Sequence, residues 1–156
     1  MAMNENFNKV KFALGVSDFS EIIDRTCYYC DKTLLIKDLL DNKSKVMLFT
    51  RPRRFGKTLN MTMLRTFFEK PIDGKDTSHY FKKLKIWQQG EEYRAEQGKY
   101  PVIYLSLKDI KPETYDHAIS KIRMAFLKEL DRHTGIFESK KLTKIQKNWQ
   151  MTCTKN

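Results

Sequence analysis

Apolar residues along the chain follow two different patterns. Residues 46–49 and 100–107 are short runs that are apolar nearly throughout, whereas residues 58–69 and 115–130 carry apolar residues every three or four positions. Continuous short runs are typical of strands covered on both faces, and the wider spacing is typical of helices. The pattern therefore predicts an α/β domain with a mostly parallel sheet flanked by helices.

Start and stop signals place the helices along the chain. Ser17 or Asp18 is a predicted cap for the first helix, residues 42–44 break the second, and Pro71 ends the third. Helices are predicted at residues 18–24, 35–41, 58–69, 91–97, 112–134 and 140–149.

The loop between the first apolar run and the third helix carries the chemistry. It reads Arg51-Pro-Arg-Arg-Phe-Gly-Lys-Thr58. A helix N-terminus has unpaired backbone N–H groups and a partial positive charge, so it favours phosphate oxygens. Gly56 allows close approach of the backbone, Lys57 reaches the β- and γ-phosphates, and Thr58 offers its hydroxyl to Mg²⁺. The order of strand, loop and helix predicts a phosphate-binding loop.

One position departs from the usual motif. Arg51 stands where G-x-x-x-x-G-K-[ST] begins with glycine. The alternative is therefore that residues 51–54 form a basic surface loop and that Gly-Lys-Thr is a chance tripeptide. The predicted strand before the loop and the predicted helix after it favour the phosphate-binding interpretation.

Three segments in order carry a family resemblance. The loop at residues 51–58, with Tyr29-Cys-Asp-Lys-Thr33 before it and residues 98–107 after it, closely resembles the bacterial AAA-ATPase-like family of P-loop proteins. In that family the loop itself begins with arginine, and members often carry a C-terminal PD-(D/E)XK nuclease-like domain. Cys30 departs from the family, which usually has an aliphatic residue there.

The resemblance implies a P-loop NTPase fold, ATP or ADP with Mg²⁺ as ligands, and ATPase activity. By resemblance, the nucleotide is bound by Arg51, Pro52, Arg53, Arg54, Phe55, Gly56, Lys57 and Thr58, with Thr58 also at the metal. The segment from Tyr29 to Thr33 is similar to one that lines the adenine pocket, which adds Tyr29 and Asp31 to the predicted site. The alternative, left open here, is that Tyr28 and Tyr29 are packing residues and that Asp31 or Thr33 caps a helix.

A second motif expected of the family, which is acidic, is missing from the sequence. The family continues into a hydrophobic strand that ends in Asp-Glu, the Walker B element, and no segment here matches it. Asp109 follows the second predicted strand only after Lys108, and we interpret it as a cap or turn residue. The chain therefore resembles the N-terminal part of a larger ATPase, with an incomplete P-loop fold.

This interpretation divides the 156 residues into a lead-in segment, the phosphate loop with its strand and helix, a connection, and a second strand with helices. The predicted boundaries are 15–45, 46–70, 71–99 and 100–150. We expect nucleotide binding by this chain and hydrolysis only in the complete protein. The exposed edge of an incomplete sheet also predicts self-association.

The charge balance adds a competing function. Thirty Lys and Arg residues against nineteen Asp and Glu residues give a formal net charge of +11. Such a surface favours polyanions, although a solvated lysine-rich surface is equally consistent with it. The competing class is a basic nucleic-acid-binding module whose Arg51–Arg54 segment contacts phosphates and for which nucleotide is irrelevant.

The cysteines and the lengths of the apolar runs indicate the cellular compartment. An odd number of cysteines, Cys27, Cys30 and Cys153, favours a reducing compartment, and Cys27-x-x-Cys30 lacks the second pair that a zinc site needs. Residues 1–9 have no apolar signal region, and no run has the length of a membrane span. We therefore predict a cytoplasmic protein without membrane contact.

Overall fold

A computed structural model describes residues 10–42, 44–72, 74–108, 110 and 114–133. The chain divides into two compact units, Met1–Tyr100 and Pro101–Asn156. The described residues of the first unit form four α-helices: α1 (Phe19–Asp24), α2 (Leu34–Asp41), α3 (Lys57–Phe68) and α4 (Glu91–Arg94). They also form two short 3₁₀-helices, Ser78–Tyr80 and Lys85–Gln88.

The start and stop signals of the first three helices are confirmed. The Asp18 side chain accepts a hydrogen bond from the backbone N–H of Glu21 and caps α1. Helix α2 ends at Asp41 with Asn42 as its C-terminal cap, and α3 ends at Phe68 with Glu69 as its cap, just before Lys70 and Pro71. The charged helix predicted at residues 91–97 is shorter, since only its first turn is α-helical.

The two predicted strands are absent, and the prediction of a mostly parallel α/β sheet is wrong for the residues that the structure describes. Residues 46–50 and 101–107 contain no strand. The one β-type pairing described is an isolated parallel bridge between Glu69 and Tyr100. In it, the backbone N–H of Lys70 donates to Tyr100 O at 2.7 Å and that of Tyr100 donates to Phe68 O at 2.9 Å.

The physical reason lies in what a strand needs from its neighbours. A parallel strand is stable when hydrogen-bonded strands flank it and helices cover both faces. Val46 and Leu48 are 84% and 86% exposed, so neither side chain has such a cover in the described structure. Apolar content predicted a buried strand, but four apolar residues do not supply the layers that would bury them.

The core of the first unit is aromatic and lies against α3. The Phe19 and Phe81 rings are stacked, with centroids 5.1 Å apart, and Phe67 meets Phe81 edge-on at the same distance. Phe81 and Ile86 come from the connection at residues 71–99. The buried residues of this core are Phe19, Ile36, Met63, Leu64, Phe67, Phe81 and Ile86.

The hydroxyl of Thr62 fixes α1 on α3 within this unit. It accepts a hydrogen bond from the backbone N–H of Phe19 at 3.1 Å. It also lies 3.3 Å from Ser17 O and 3.0 Å from Leu59 O. A buried threonine therefore stands on the otherwise apolar face of α3 because it satisfies a helix-start N–H group that packing alone would leave unpaired.

The described part of the second unit consists of a segment without regular secondary structure, residues 101–108, and α5 (Tyr115–Arg132), with Ile110 and Thr114 between them. The buried Glu129 carboxylate accepts a hydrogen bond from the backbone N–H of Tyr104 at 2.9 Å. A ring nitrogen of His133 lies 2.8 Å from Val102 O. These contacts attach residues 101–108 to the C-terminal end of α5 through side chains, in place of the sheet pairing that the sequence predicted.

Some predictions lie outside the described residues. These are the role of Asp109, the helix start at Lys111-Pro112-Glu113, the stop at Gly135, the helix at residues 140–149, and Cys153. Within the described part, α5 begins at Tyr115, where the Thr114 hydroxyl accepts a hydrogen bond from the backbone N–H of His117. None of the described helices is both long enough and apolar enough to cross a membrane.

Candidate functional site

Two residues of the loop before α3 have a left-handed backbone conformation. Arg54 has a φ of 66° and Gly56, which precedes the first residue of α3, has a φ of 71°. Residues with positive φ separated by one residue are typical of loops whose N–H groups form an anion-binding concavity. Glycine adopts this conformation without strain, whereas a Cβ at position 56 would be strained by its φ even though the space around it is open.

The first turn of α3 has no cap. Gly56 offers no side chain, and the backbone N–H groups of Lys57, Thr58 and Leu59 have no partner among the described residues. The first bond of the helix runs from the N–H of Asn60 to Gly56 O at 2.9 Å. Three N–H donors at the positive end of a 12-residue helix are therefore open to an acceptor.

The ammonium group of Lys57 turns back into the loop. Its Nζ donates to the carbonyl oxygen of Arg51 at 2.5 Å and to that of Pro52 at 3.1 Å. The sequence-predicted Arg51, Pro52, Gly56 and Lys57 are thus brought together. An exposed lysine that bonds to neutral carbonyl oxygens can exchange them for a more negative acceptor at small cost.

The remaining predicted residues of the loop lie on its surface. Arg53, Arg54, Phe55 and Thr58 are exposed. No side-chain hydrogen bond or ion pair is described for either arginine or for the Thr58 hydroxyl. The guanidinium groups and the hydroxyl are therefore available to a ligand at the same helix end.

Tyr29 lies in the wall of the site with its ring against the core. Its ring meets that of Phe19 edge-on, with centroids 5.2 Å apart, and its hydroxyl has no hydrogen-bond partner among the described residues. Burial raises the pKa of Tyr29 to about 12, and the nearby backbone N–H of Lys32 partly opposes this. The ring of Tyr29 therefore has the packing role that the sequence left open for it.

Asp31 is engaged by the protein itself. Its carboxylate accepts hydrogen bonds from the backbone N–H and the hydroxyl of Thr33, at 2.9 and 2.7 Å, and from the backbone N–H of Lys85 at 2.8 Å. Burial acts to raise the pKa of Asp31, but these hydrogen bonds outweigh it and hold the pKa below the usual value. Asp31 therefore forms the turn into α2, and nucleotide contact by Asp31 stays a prediction.

Three cavities surround the first two turns of α3, with volumes of about 340, 220 and 140 Å³. Gly56 and Tyr29 line the largest, and Arg51 lines the two smaller ones. Asn60 lines all three. Tyr29, from the segment before α2, and Arg51 and Gly56, from the loop, thus line cavities around the start of α3.

Asn60 and Phe12 also line the largest of these three cavities, although the sequence did not predict them there. Asn60 had a usable signal, because a residue four positions after Gly56 lies on the same helix face. Phe12 had none, since its place beside Tyr28 depends on a backbone hydrogen bond from Tyr28 N–H to Lys11 O at 2.7 Å. Cys27 and Cys30 are both free thiols, and Cys30 lines the largest cavity.

Comparison with known families gives one match over most of the chain. Residues 13–155 match the model of the AAA-ATPase-like family, described as predicted AAA-ATPases. No curated protein and no solved structure matches the chain. The family description gives the chain an ATPase-like, nucleotide-binding role at a coarse level. On a match of this extent, the chain belongs to the AAA-ATPase-like family.

Proposed function

We propose that the chain binds ATP or ADP, with Mg²⁺, through the loop Arg51–Thr58 and the first turn of α3. The observation that carries the proposal is the position of Lys57. Its ammonium group lies within the loop, bonded to the carbonyl oxygens of Arg51 and Pro52, beside the open N–H groups of the helix start. Family membership supports a nucleotide as the anion.

Binding exchanges weak partners for strong ones. The β- and γ-phosphate oxygens accept hydrogen bonds from the N–H groups of Lys57, Thr58 and Leu59, and Lys57 moves its ammonium group from neutral carbonyls to a charged oxygen. Bonds to a charged group contribute roughly 1.5–3 kcal/mol, against about 1 kcal/mol for neutral pairs. Arg53 and Arg54 add guanidinium groups at the rim, which suit bidentate phosphate contacts.

The residues present fit a Mg²⁺ ion that arrives with the nucleotide. Mg²⁺ in phosphate sites keeps several waters and takes few protein ligands besides the phosphates. Thr58 supplies one exposed hydroxyl beside the helix start. When bound, the ion neutralises phosphate charge, whereas the residues of this chain hold and orient the nucleotide. Hydrolysis to ADP and phosphate belongs, in this proposal, to the complete protein.

Titration calorimetry with MgATP tests the proposal on the parent chain, on Lys57→Ala and on the control Lys75→Ala. Lys75 is an exposed lysine outside the loop. Lys57→Ala should weaken nucleotide binding about 10- to 100-fold because it removes charge-assisted bonds. The control should bind as the parent does. Equal affinity in all three chains would overturn the assignment of the loop.

The exposed Arg53 and Arg54 support a second candidate, a loop that contacts nucleic-acid phosphates. Replacing both with lysine keeps the charge and removes the planar, bidentate donors. A shared site predicts that MgATP displaces DNA at low salt and that the double variant weakens both ligands. DNA retention that MgATP leaves untouched would separate the two functions. If the variant changed neither ligand, both arginines would be solvated residues without a role in binding.

A further inference from the structure

We propose that a lysine-rich turn in the connection between α3 and α4 binds the phosphate backbone of a nucleic acid. The lysine turn spans residues 82–85 and carries Lys82, Lys83 and Lys85. It contains no residue of the loop Arg51–Thr58. The inference therefore goes beyond nucleotide binding and does not depend on it.

The backbone of the lysine turn is ordered by its own hydrogen bonds. The N–H of Leu84 donates to Phe81 O at 2.8 Å, which closes a turn with Lys82 and Lys83 at its two central positions. The second 3₁₀-helix, Lys85–Gln88, begins directly after it. Because the backbone is already fixed, binding a ligand has to order only the lysine side chains, which lowers its entropic cost.

The apolar residues of this segment are turned toward the core. Phe81 and Ile86 are fully buried, and Leu84 is partly buried and packs against the same core. The lysine turn therefore presents ammonium groups without an exposed apolar side chain between them. Protein interfaces are depleted in lysine and have an apolar or aromatic centre, and surface binding to a membrane needs apolar side chains that insert. A phosphate backbone needs neither, so the surface fits a nucleic acid.

The three ammonium groups have no carboxylate partner in the part of the chain that the structure describes. The neighbouring Asp31 carboxylate accepts hydrogen bonds from the N–H groups of Thr33 and Lys85 and from the Thr33 hydroxyl. By contrast, Lys37 and Lys99 each form an ion pair with a carboxylate three or four residues away. The lysines of the turn can therefore contact phosphate oxygens without breaking an internal ion pair.

Contacts of this kind hold a nucleic acid by charge and do not read its sequence. Each phosphate that a lysine neutralises releases counterions, so the logarithm of the affinity falls with the logarithm of the salt concentration by about 0.9 per contact on a duplex. Three lysines therefore predict a contribution of about 2–3 to this slope. Because none of them belongs to the loop, we expect DNA binding that MgATP does not displace, in contrast to a DNA contact made by Arg53 and Arg54.

Fluorescence anisotropy of a short labelled duplex DNA, titrated with the full chain from low salt to about 0.15 M salt, tests the inference. The variant is the triple replacement Lys82→Gln, Lys83→Gln and Lys85→Gln. It should bind the duplex about tenfold more weakly or worse at low salt. Its salt slope should be smaller than that of the parent by about 2–3.

The matched control is the triple replacement Lys45→Gln, Lys121→Gln and Lys128→Gln. It removes the same charge from exposed positions outside the lysine turn. Its salt slope should stay close to that of the parent. Thermal melts of both triple variants show whether each is folded.

Two further measurements separate the lysine turn from the loop. Saturating MgATP should leave the affinity of the parent for the duplex unchanged, and Lys57→Ala should bind the duplex as the parent does. Calorimetry should give the variant of the lysine turn the same affinity for MgATP as the parent. Phosphatidylserine vesicles, the probe for a membrane surface, should not bind the chain when the duplex does.

The outcomes distinguish this inference from the proposed function. If the variant of the lysine turn keeps the affinity and the salt slope of the parent, or if the control loses as much, the lysine turn is not the site. Displacement of the duplex by MgATP would assign it to the loop, and binding to vesicles without binding to DNA would make a membrane the ligand. If the parent fails to bind MgATP but only the variant of the lysine turn loses DNA, the proposed function fails and this inference stands.

Discussion

The hydroxyl of Thr33 accepts a hydrogen bond from the backbone N–H of Ile86 at 3.2 Å, although the two residues are 53 positions apart. The same hydroxyl donates to the Asp31 carboxylate at 2.7 Å, and that carboxylate also accepts from the N–H of Lys85. Thr33 and Ile86 are both fully buried. This network attaches the start of α2, which borders the candidate site, to the 3₁₀-helix Lys85–Gln88.

We predict that Thr33→Val lowers the stability of the first unit. Valine keeps the shape of threonine but leaves the N–H of Ile86 buried without its partner, which costs about 1–3 kcal/mol. Chemical denaturation should show the loss as a lower midpoint with an unchanged slope. Thr50→Val, at an exposed position for which no side-chain hydrogen bond is described, is the matched control and should cost less. Equal midpoints for Thr33→Val and the parent would contradict the role of the network.

Acid should weaken the same network through Asp31. Its folded-state pKa lies below its ordinary value of 3.8, because hydrogen bonds from Thr33 and Lys85 outweigh burial. Asp31 therefore contributes stability above about pH 4, and the contribution disappears as the pH falls through the folded-state pKa. Asp31→Asn should be less stable than the parent at neutral pH.

The difference between parent and Asp31→Asn should narrow below about pH 4, where the parent carboxylate also becomes neutral. Denaturation midpoints measured from pH 7 to pH 2.5 check this. Asp38→Asn, at an exposed position of α2, the helix that follows Asp31, controls for the loss of one negative charge. A difference that stays constant down to the lowest pH would show that the ionised form of Asp31 is not what the network requires.

The sequence predicted the features of this structure that neighbouring residues determine, and it failed for those that distant segments determine. Caps and breakers act over a few residues, so Asp18 and Asn42 correctly marked a helix start and a helix end. The start of α3 after Gly56 was predictable for the same reason. The strands were not, because an apolar run such as residues 46–49 becomes a strand only when distant segments pair with it and cover it.

The candidate site shows the same division. The loop residues were recognisable because Gly56, Lys57 and Thr58 are consecutive and each has a separate chemical role. The role of Asp31 was left open between a nucleotide contact and a helix cap; the structure shows local bonds to Thr33 and a further bond from the N–H of Lys85, which lies 54 positions away and has no local signal. Phe12 joins the site only through the distant Tyr28, so no local pattern announces it.

The exposed apolar segment before the loop predicts self-association. Val46 and Leu48 lie in a segment without regular secondary structure and have their side chains almost fully in water. Exposed apolar side chains close together in a segment favour contact between copies of a chain. Sedimentation velocity should show association that increases with concentration. Val46→Thr with Leu48→Thr should reduce it, because threonine carries less apolar surface than valine or leucine.

Ile72→Thr is the control for that experiment, because Ile72 is also exposed but lies outside the segment. It should associate as the parent does. A parent chain that stays monomeric across the concentration range would contradict the prediction. Association that both variants reduce equally would show that general surface hydrophobicity, and not residues 46–48, is responsible.

The last prediction is that this chain alone releases phosphate from ATP only at the background rate, although we propose that it binds the nucleotide. Phosphoryl transfer depends on positioning and on charge stabilisation around Mg²⁺ by several groups at once. Thr58 offers one hydroxyl, but the sequence has no apolar run that ends in Asp-Glu and could serve as the acidic Walker B element. Phosphate release by the parent should therefore equal that by Lys57→Ala. Turnover by the parent that is abolished in Lys57→Ala would show that a metal-supporting acid lies within these residues, and Asp109 would be the first to replace.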